Sequence, residues 1–230
     1  MSKVHESEIE VNEVLVKAQN TWNTFKKPII IIVAAIVIIG GGWYAYQEYV
    51  MKPKEEKAAE ALFKAEQYFA IDSSKLVLNG DGLSKGVLYV ISNFSGTKAA
   101  NLAHYYAGIS YLKLGEFDNA VKHLKDFSTD AKQIQLLAYG CLGDAYAELK
   151  KYDDAVSSYK KAAGTFEKDE NNSSEFLFRA ALLLETTGKT SDALSLYKEL
   201  KAKYPKTDKG FQADKYIYRL SIEKNDLSVQ

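Results

Sequence analysis

The sequence predicts an all-α protein: a single transmembrane helix followed by a solenoid of stacked helical hairpins. Three observations predict it. Residues 28–46 carry no charge, a pattern of about 35 residues recurs three times between positions 107 and 200, and proline occurs only at 28, 53 and 205.

The uncharged run comes first. From Pro28 to Tyr46 it is 19 residues long, too long for an ordinary core helix and close to the ~20 residues that cross a bilayer. Nine of those residues are Ile or Val, which together favour insertion by about 3–5 kcal/mol. Trp22, Phe25, Lys26 and Lys27 flank one end, and Trp43, Tyr44, Tyr46 and Tyr49 the other. Such residues belong at membrane–water interfaces. The run has no alternating polar face, so a surface strand is not expected. Gly40 and Gly42 have the spacing of a signal-cleavage site. Against cleavage, the run exceeds the ~7–15 residues of a signal core, and Glu6, Glu8, Glu10 and Glu13 precede it. An uncleaved anchor is expected, dividing the chain into a leader (1–27), a span (28–46) and a repeat domain (47–230).

Orientation follows from lysines. Lys3, Lys17, Lys26 and Lys27 precede the span, and Lys52, Lys54 and Lys57 follow it. The slight bias favours a cytoplasmic amino terminus and a translocated carboxy-terminal domain. In the leader, Val11, Leu15, Ala18, Trp22 and Phe25 form one apolar helical stripe. That stripe either lies on the membrane surface or docks a partner.

Composition narrows the function classes. Thirty basic residues balance thirty acidic ones, and no basic run suggests a phosphate-backbone footprint, so no nucleic-acid partner is expected. Cys141 is the only cysteine, which excludes an intrachain disulfide framework.

The repeat sets the rest of the fold. The segments "AGISYLKLGEFDNAVKHLKDF", "LGDAYAELKKYDDAVSSYKKA" and "AALLLETTGKTSDALSLYKEL" align. Gly108, Tyr111, Gly115, Phe117, Ala120 and Leu124 in the first match Gly143, Tyr146, Lys150, Tyr152, Ala155 and Tyr159 in the second. Ala181, Leu184, Gly188, Thr190, Ala193 and Tyr197 take the same places in the third. These residues resemble the tetratricopeptide repeat (TPR), two antiparallel helices in ~34 residues. Gly or Ala at the first site lets the two helices approach, and the Tyr three residues on fills the gap. Glycine at the turn can take a positive φ. Ala120, Ala155 and Ala193 admit the next repeat, because one repeat cannot bury its own face. The repeats are expected at about 101–134, 136–169 and 174–207.

A degenerate repeat is expected over 54–96. It opens with a helix over 52–72 that buries Ala58, Ala61, Leu62, Ala65 and Phe69, and continues through the loop "LNGDGLSKG" to "VLYVISNF" (87–94), which is apolar enough for a packed helix or a strand and is read as a helix because helical repeats follow. "NFSGTKAA" (93–100) resembles "KYPKTDKG" (203–210) in placing an aromatic three residues before Thr and a new helix. A capping helix at about 208–224 is expected to turn Phe211, Ile217, Leu220 and Ile222 to one side.

Catalytic motifs are missing from the pattern. His5, His104 and His123 lack further ligands at metal spacing, and a structural role is expected for His104 and His123. Asp118, Asp153 and Asp154 read as helix-start residues. "GDGLSKG" lacks the ending of a phosphate loop. No enzyme activity, cofactor, metal or small-molecule substrate is expected.

A binding surface remains. In tetratricopeptide repeats the first helices line a concave wall, and the resemblance places Leu102, Tyr105, Ile109, Leu112 and Lys113 on it. Gly140, Asp144 and Glu148 follow, then Phe178, Leu182 and Glu185. Repeats that grip a terminal carboxylate use Lys, Asn and Arg there, so no such clamp is expected. Alternatively, Tyr105 and Ile109 pack against the degenerate repeat.

The order of leader, span, about four repeats and cap resembles the bacterial inner-membrane proteins known as ancillary subunits of the Sec translocon. The resemblance implies a periplasmic repeat domain beside the translocon, meeting emerging chains or periplasmic chaperones. A translocon-independent holdase or envelope-assembly scaffold is the alternative.

Overall fold

A computed structural model describes residues 2–223, with side chains over 15–222. The side chains of Lys3, His5 and Val11, and residue 224 at the expected end of the cap, lie outside that range. The chain divides into two compact units, Met1–Pro53 and Lys54–Gln230.

The first unit is one helix, α1 (Ser2–Tyr46), with Pro28 inside it, followed by a π-helical turn, Gln47–Met51. Leader and span are therefore continuous. Proline removes only one backbone bond of the ladder, and a segment that satisfies its polar groups internally suits a bilayer. One helix near the N-terminus is long and apolar enough to cross a membrane, with mean hydropathy 2.3 and none of its apolar window buried.

The second unit holds all but the first two residues of α2 (Lys52–Ala70), and then α3 (Ser74–Asn79), α4 (Val87–Asn93), α5 (Lys98–Lys113), α6 (Phe117–Asp126), α7 (Lys132–Glu148), α8 (Tyr152–Thr165), α9 (Glu170–Thr186), α10 (Thr190–Lys203) and α11 (Asp208–Glu223). Three repeats form the hairpins α5/α6, α7/α8 and α9/α10. Their small sites are filled as the repeat demands. A Cβ on Gly108 would lie 2.5 Å from Leu124, and one on Gly143 would lie 2.5 Å from the Tyr159 ring. Ala120, Ala155, Ala181 and Ala193 are fully buried.

The hairpin turns share one backbone conformation. Gly115 and Gly188 have φ of 77° and 78°, a region open to glycine. Lys150 occupies the matching site with φ 60°, and Asp72 has φ 58°. Asp72 gives the register of the degenerate repeat: Ala65, Tyr68 and Asp72 stand where Gly108, Tyr111 and Gly115 stand. Thus α2 is a first helix, and its second helix is broken into α3 and α4. Gly80, with φ 82°, makes the break, since a Cβ there would meet the Ser84 carbonyl at 1.9 Å. Buried Val77 on α3 takes the place of Ala120.

The two similar turns also match in detail. Thr97 Oγ1 donates to the Phe94 carbonyl at 2.7 Å and accepts from the Ala100 N–H at 3.0 Å. Thr207 Oγ1 does the same with Tyr204, at 3.0 Å, and Gly210, at 3.1 Å. Each caps a helix N-terminus.

The buried face of α2 is Ala58, Leu62, Ala65 and Tyr68, with Ala61 and Phe69 only partly covered. The cap departs further from expectation. Ile217 and Leu220 are buried, whereas Phe211 is 70% and Ile222 46% exposed. Positions 211 and 222 are eleven residues apart, three helical turns, and so share a face opposite to that of Ile217.

Candidate partner-binding wall

On α5 the wall residues are partly accessible. Leu102 packs against the core of α2–α5. The Tyr105 ring lies 5.1 Å from Phe127 and 5.8 Å from Tyr106, and burial pushes its phenol up to about 12. Ile109 and Leu112 are half-buried. Lys113 is exposed, pairs with Asp72 and lies 5.6 Å above the Phe69 ring. Packing against the degenerate repeat falls to the neighbour, Tyr106. Its ring is 4.7 Å from Phe69, and its hydroxyl donates to Glu66 at 3.3 Å. Sequence reasoning missed Tyr106, because a shift of one residue, about 100°, on a helix that carries Tyr105, Tyr106 and Tyr111 leaves no periodic signal.

On α7 and α9 several wall positions serve the fold itself. Gly140 is buried, and a Cβ there would meet the Phe176 ring at 2.0 Å. Phe178 is 6% exposed, with the Tyr216 ring 5.2 Å away and the Lys209 ammonium 4.6 Å above it. Asp144 accepts from Tyr159 at 2.7 Å and from Arg179 at 2.8 Å. Glu185 accepts from Tyr197 at 3.0 Å and pairs with Arg219. Glu148 is exposed, and Leu182 is 38% exposed. Lys113, Glu148 and Leu182 are exposed, and Leu102, Tyr105, Ile109, Leu112, Asp144 and Glu185 are all half-buried, with the Asp144 and Glu185 carboxylates engaged within the chain.

Charges along α9 and α11 neutralise one another. Glu175 bonds Arg179 at 2.8 Å and Lys209 at 3.3 Å. Burial pushes its carboxyl up, but the two cations outweigh burial and hold it below the usual range. Burial opposes the charge on Arg179 as well, yet Glu175 and Asp144 raise its pKa.

His104 and His123 meet Nδ1 to Nδ1 at 3.1 Å, and the Tyr111 ring stacks on His123 at 5.5 Å. Among the described residues no three His, Cys, Asp or Glu side chains gather to hold a metal. Burial pushes the Cys141 thiol up to about 11, away from the reactive thiolate. In the 80–86 loop, Asp81 accepts from the N–H groups of Leu83 and Ser84 and from the Tyr68 hydroxyl.

On α1, Trp22, Trp43, Tyr44 and Tyr46 are all more than half exposed. Lys26 bonds Asn23 at 2.9 Å, and Lys27 is exposed.

Comparison with known proteins agrees with this architecture. Residues 105–173 and 142–207 match the tetratricopeptide repeat family model. Two solved structures are similar: the nearly identical TPR-like repeats of a Podosopora anserina protein described as a kinesin light chain, and a single-substitution variant of them. Each is 13% identical with a TM-score of 0.52, and the match covers 74% of this chain and 88% of that one. No curated protein matches the chain. The structural likeness establishes a TPR-type solenoid fold, and the matched tetratricopeptide repeats imply a protein-interaction scaffold.

Proposed function

We propose that the protein is a membrane-anchored scaffold of the Sec protein-translocation machinery. Its repeat domain faces the periplasm of the inner membrane and meets emerging chains or periplasmic chaperones. One observation carries the binding reading. The half-buried part of the α5 wall is apolar and aromatic, at Tyr105, Ile109 and Leu112, with the Lys113 charge paired to Asp72, while Asp144 and Glu185 on α7 and α9 are engaged within the chain. A surface of that kind favours an apolar segment over a charged terminus. The span supports the reading by raising effective concentration, so each contact can be weak. The interface residues of the anchor in this reading are Trp22, Lys26, Lys27, Trp43, Tyr44 and Tyr46.

Affinity capture of the full-length chain in mild detergent tests the proposal. Translocon components should co-purify, and the double variant Ile109→Glu, Leu112→Glu should lose them while retaining helicity. Capture without any translocon component contradicts it. The same apolar wall suits unfolded client segments, which supports the second reading, a translocon-independent holdase or envelope-assembly scaffold. Suppression of client aggregation without translocon capture would favour that reading.

A further inference from the structure

Helix α11 carries a second face, largely apolar, that the described residues leave exposed. Aligning Thr207 with Thr97 puts α11 in register with α5. Gly210, Ala213, Ile217 and Leu220 then match Ala100, Ala103, Ala107 and Ser110, and all eight are buried. So α11 is built as the first helix of a further repeat. In that register Tyr218 stands where Gly108, Gly143 and Ala181 stand, the site whose small side chain admits a second helix. Leu124 approaches to 2.5 Å of a Cβ built at Gly108, a gap a tyrosine cannot leave. Tyr218 is instead 67% exposed, between Phe211 at 70% and Ile222 at 46%.

We infer that this face of α11 pairs antiparallel with α11 of a second copy of the chain. The argument is self-complementarity. Phe211, Lys215, Tyr218 and Ile222 lie on one stripe, at spacings of 4, 3 and 4. A two-fold axis between positions 216 and 217 sets Phe211 against the other copy's Ile222, and Lys215 over the other copy's Tyr218. The first contact is apolar on both sides, and the second is a cation above an aromatic face. The charges flanking the stripe are already paired within the chain: Asp214 with Lys201, and Arg219 with Glu185. Neither leaves an uncompensated charge at the seam. One helix pair buries less than the ~800 Å² per partner of a standard interface, so the pairing is weak in dilute solution and strengthens where copies are concentrated. The inference stands apart from the proposed partner, because it uses no residue of the α5 wall.

Cysteine cross-linking of the full-length chain in lipid vesicles tests it. Differently tagged Phe211→Cys and Ile222→Cys chains, mixed and oxidised, should give a cross-linked heterodimer several-fold more abundant than either homodimer. A Tyr218→Asp substitution in both chains should abolish it while leaving far-UV circular dichroism unchanged. A dominant Phe211→Cys homodimer, meaning parallel pairing, overturns the inference. So does the absence of any cross-link above that of a Lys160→Cys control on the outer face of α8. A spin label at position 218 immobilised by vesicles at single-copy occupancy also overturns it, because a lipid surface would then cover the face.

Discussion

Tyr159 and Arg179 both donate to one carboxylate oxygen of Asp144, at 2.7 and 2.8 Å. The three side chains come from α8, α9 and α7, so a single oxygen ties a hairpin to the next repeat. The arrangement recurs one repeat later, where Tyr197 and Arg219 meet the Glu185 carboxylate. Desolvation raises the pKa of both phenols, with Asp144 and Glu185 adding to it.

Breaking the first junction should loosen the solenoid locally. Tyr159→Phe removes one hydrogen bond to a charged acceptor and should destabilise by about 1–2 kcal/mol. Arg179 is partly exposed, so its ion pair is screened and contributes less. A double-mutant cycle of Tyr159→Phe with Asp144→Asn should return a coupling of about 1 kcal/mol. Amide exchange in α8 and α9, rather than a global midpoint, is the measurement, because repeat arrays unfold piecewise.

Lys150 is the one hairpin turn of the three repeats without glycine. Its φ of 60° costs a side-chain-bearing residue about 1 kcal/mol. Lys150→Gly should therefore stabilise the α7/α8 hairpin by roughly that amount. Gly188→Ala, at φ 78°, should destabilise α9/α10 by a similar amount. Thermal unfolding of the two variants should move in opposite directions.

Gly140 on α7 leaves room for the Phe176 ring on α9. A Cβ there would sit 2.0 Å from Phe176 Cζ, and the ring is itself buried at 7% exposure. Gly140→Ala should cost about 1–3 kcal/mol through overpacking. Combining it with Phe176→Leu should recover part of the loss, which differential scanning calorimetry reads directly.

The histidine pair gives a pH dependence. Burial, with His104 and Lys122 adding and Asp126 opposing, lowers the His123 pKa to about 4. Burial likewise lowers that of His104. The folded state thus holds both rings neutral, while an unfolded histidine titrates near 6.5. Between those values the unfolded chain binds more protons, so stability is full above pH ~6.5 and falls as pH drops towards 4. The loss should be on the order of 2 kcal/mol, confined to α5/α6. His123→Leu should flatten the profile of α5 amide exchange over that range.

Much of this fold was legible in the sequence, and the illegible parts share a cause. Gly115, Ala120, Ala155 and Gly188 follow local rules of helix approach and turn geometry, so alignment alone exposed them. At 87–94 the residues alone suit a helix or a strand, and the helical repeats that follow favour the helix. The Asp144–Arg179 and Glu185–Arg219 junctions join residues 35 and 34 positions apart. Nothing in helical periodicity separates a carboxylate that meets an arginine from one that meets water. Gly140 and Phe178 likewise fit the wall by register, yet they are buried, Gly140 under the Phe176 ring and Phe178 against Tyr197 and Tyr216. Asp72 hid the register of α2 by replacing the expected turn glycine. Phe211 and Ile222 were assigned to the buried side of the cap, where apolar character alone could not distinguish two opposite apolar faces.

The central claim is that the apolar wall on α5 receives a protein segment at a membrane-tethered solenoid. A photo-cross-linking amino acid at position 109 of the full-length chain, activated in intact cells, tests it most directly. The account predicts adducts with translocon subunits or translocating chains, and none from the same group at position 160. Equal adducts from both positions, or no protein adduct from position 109, would contradict it.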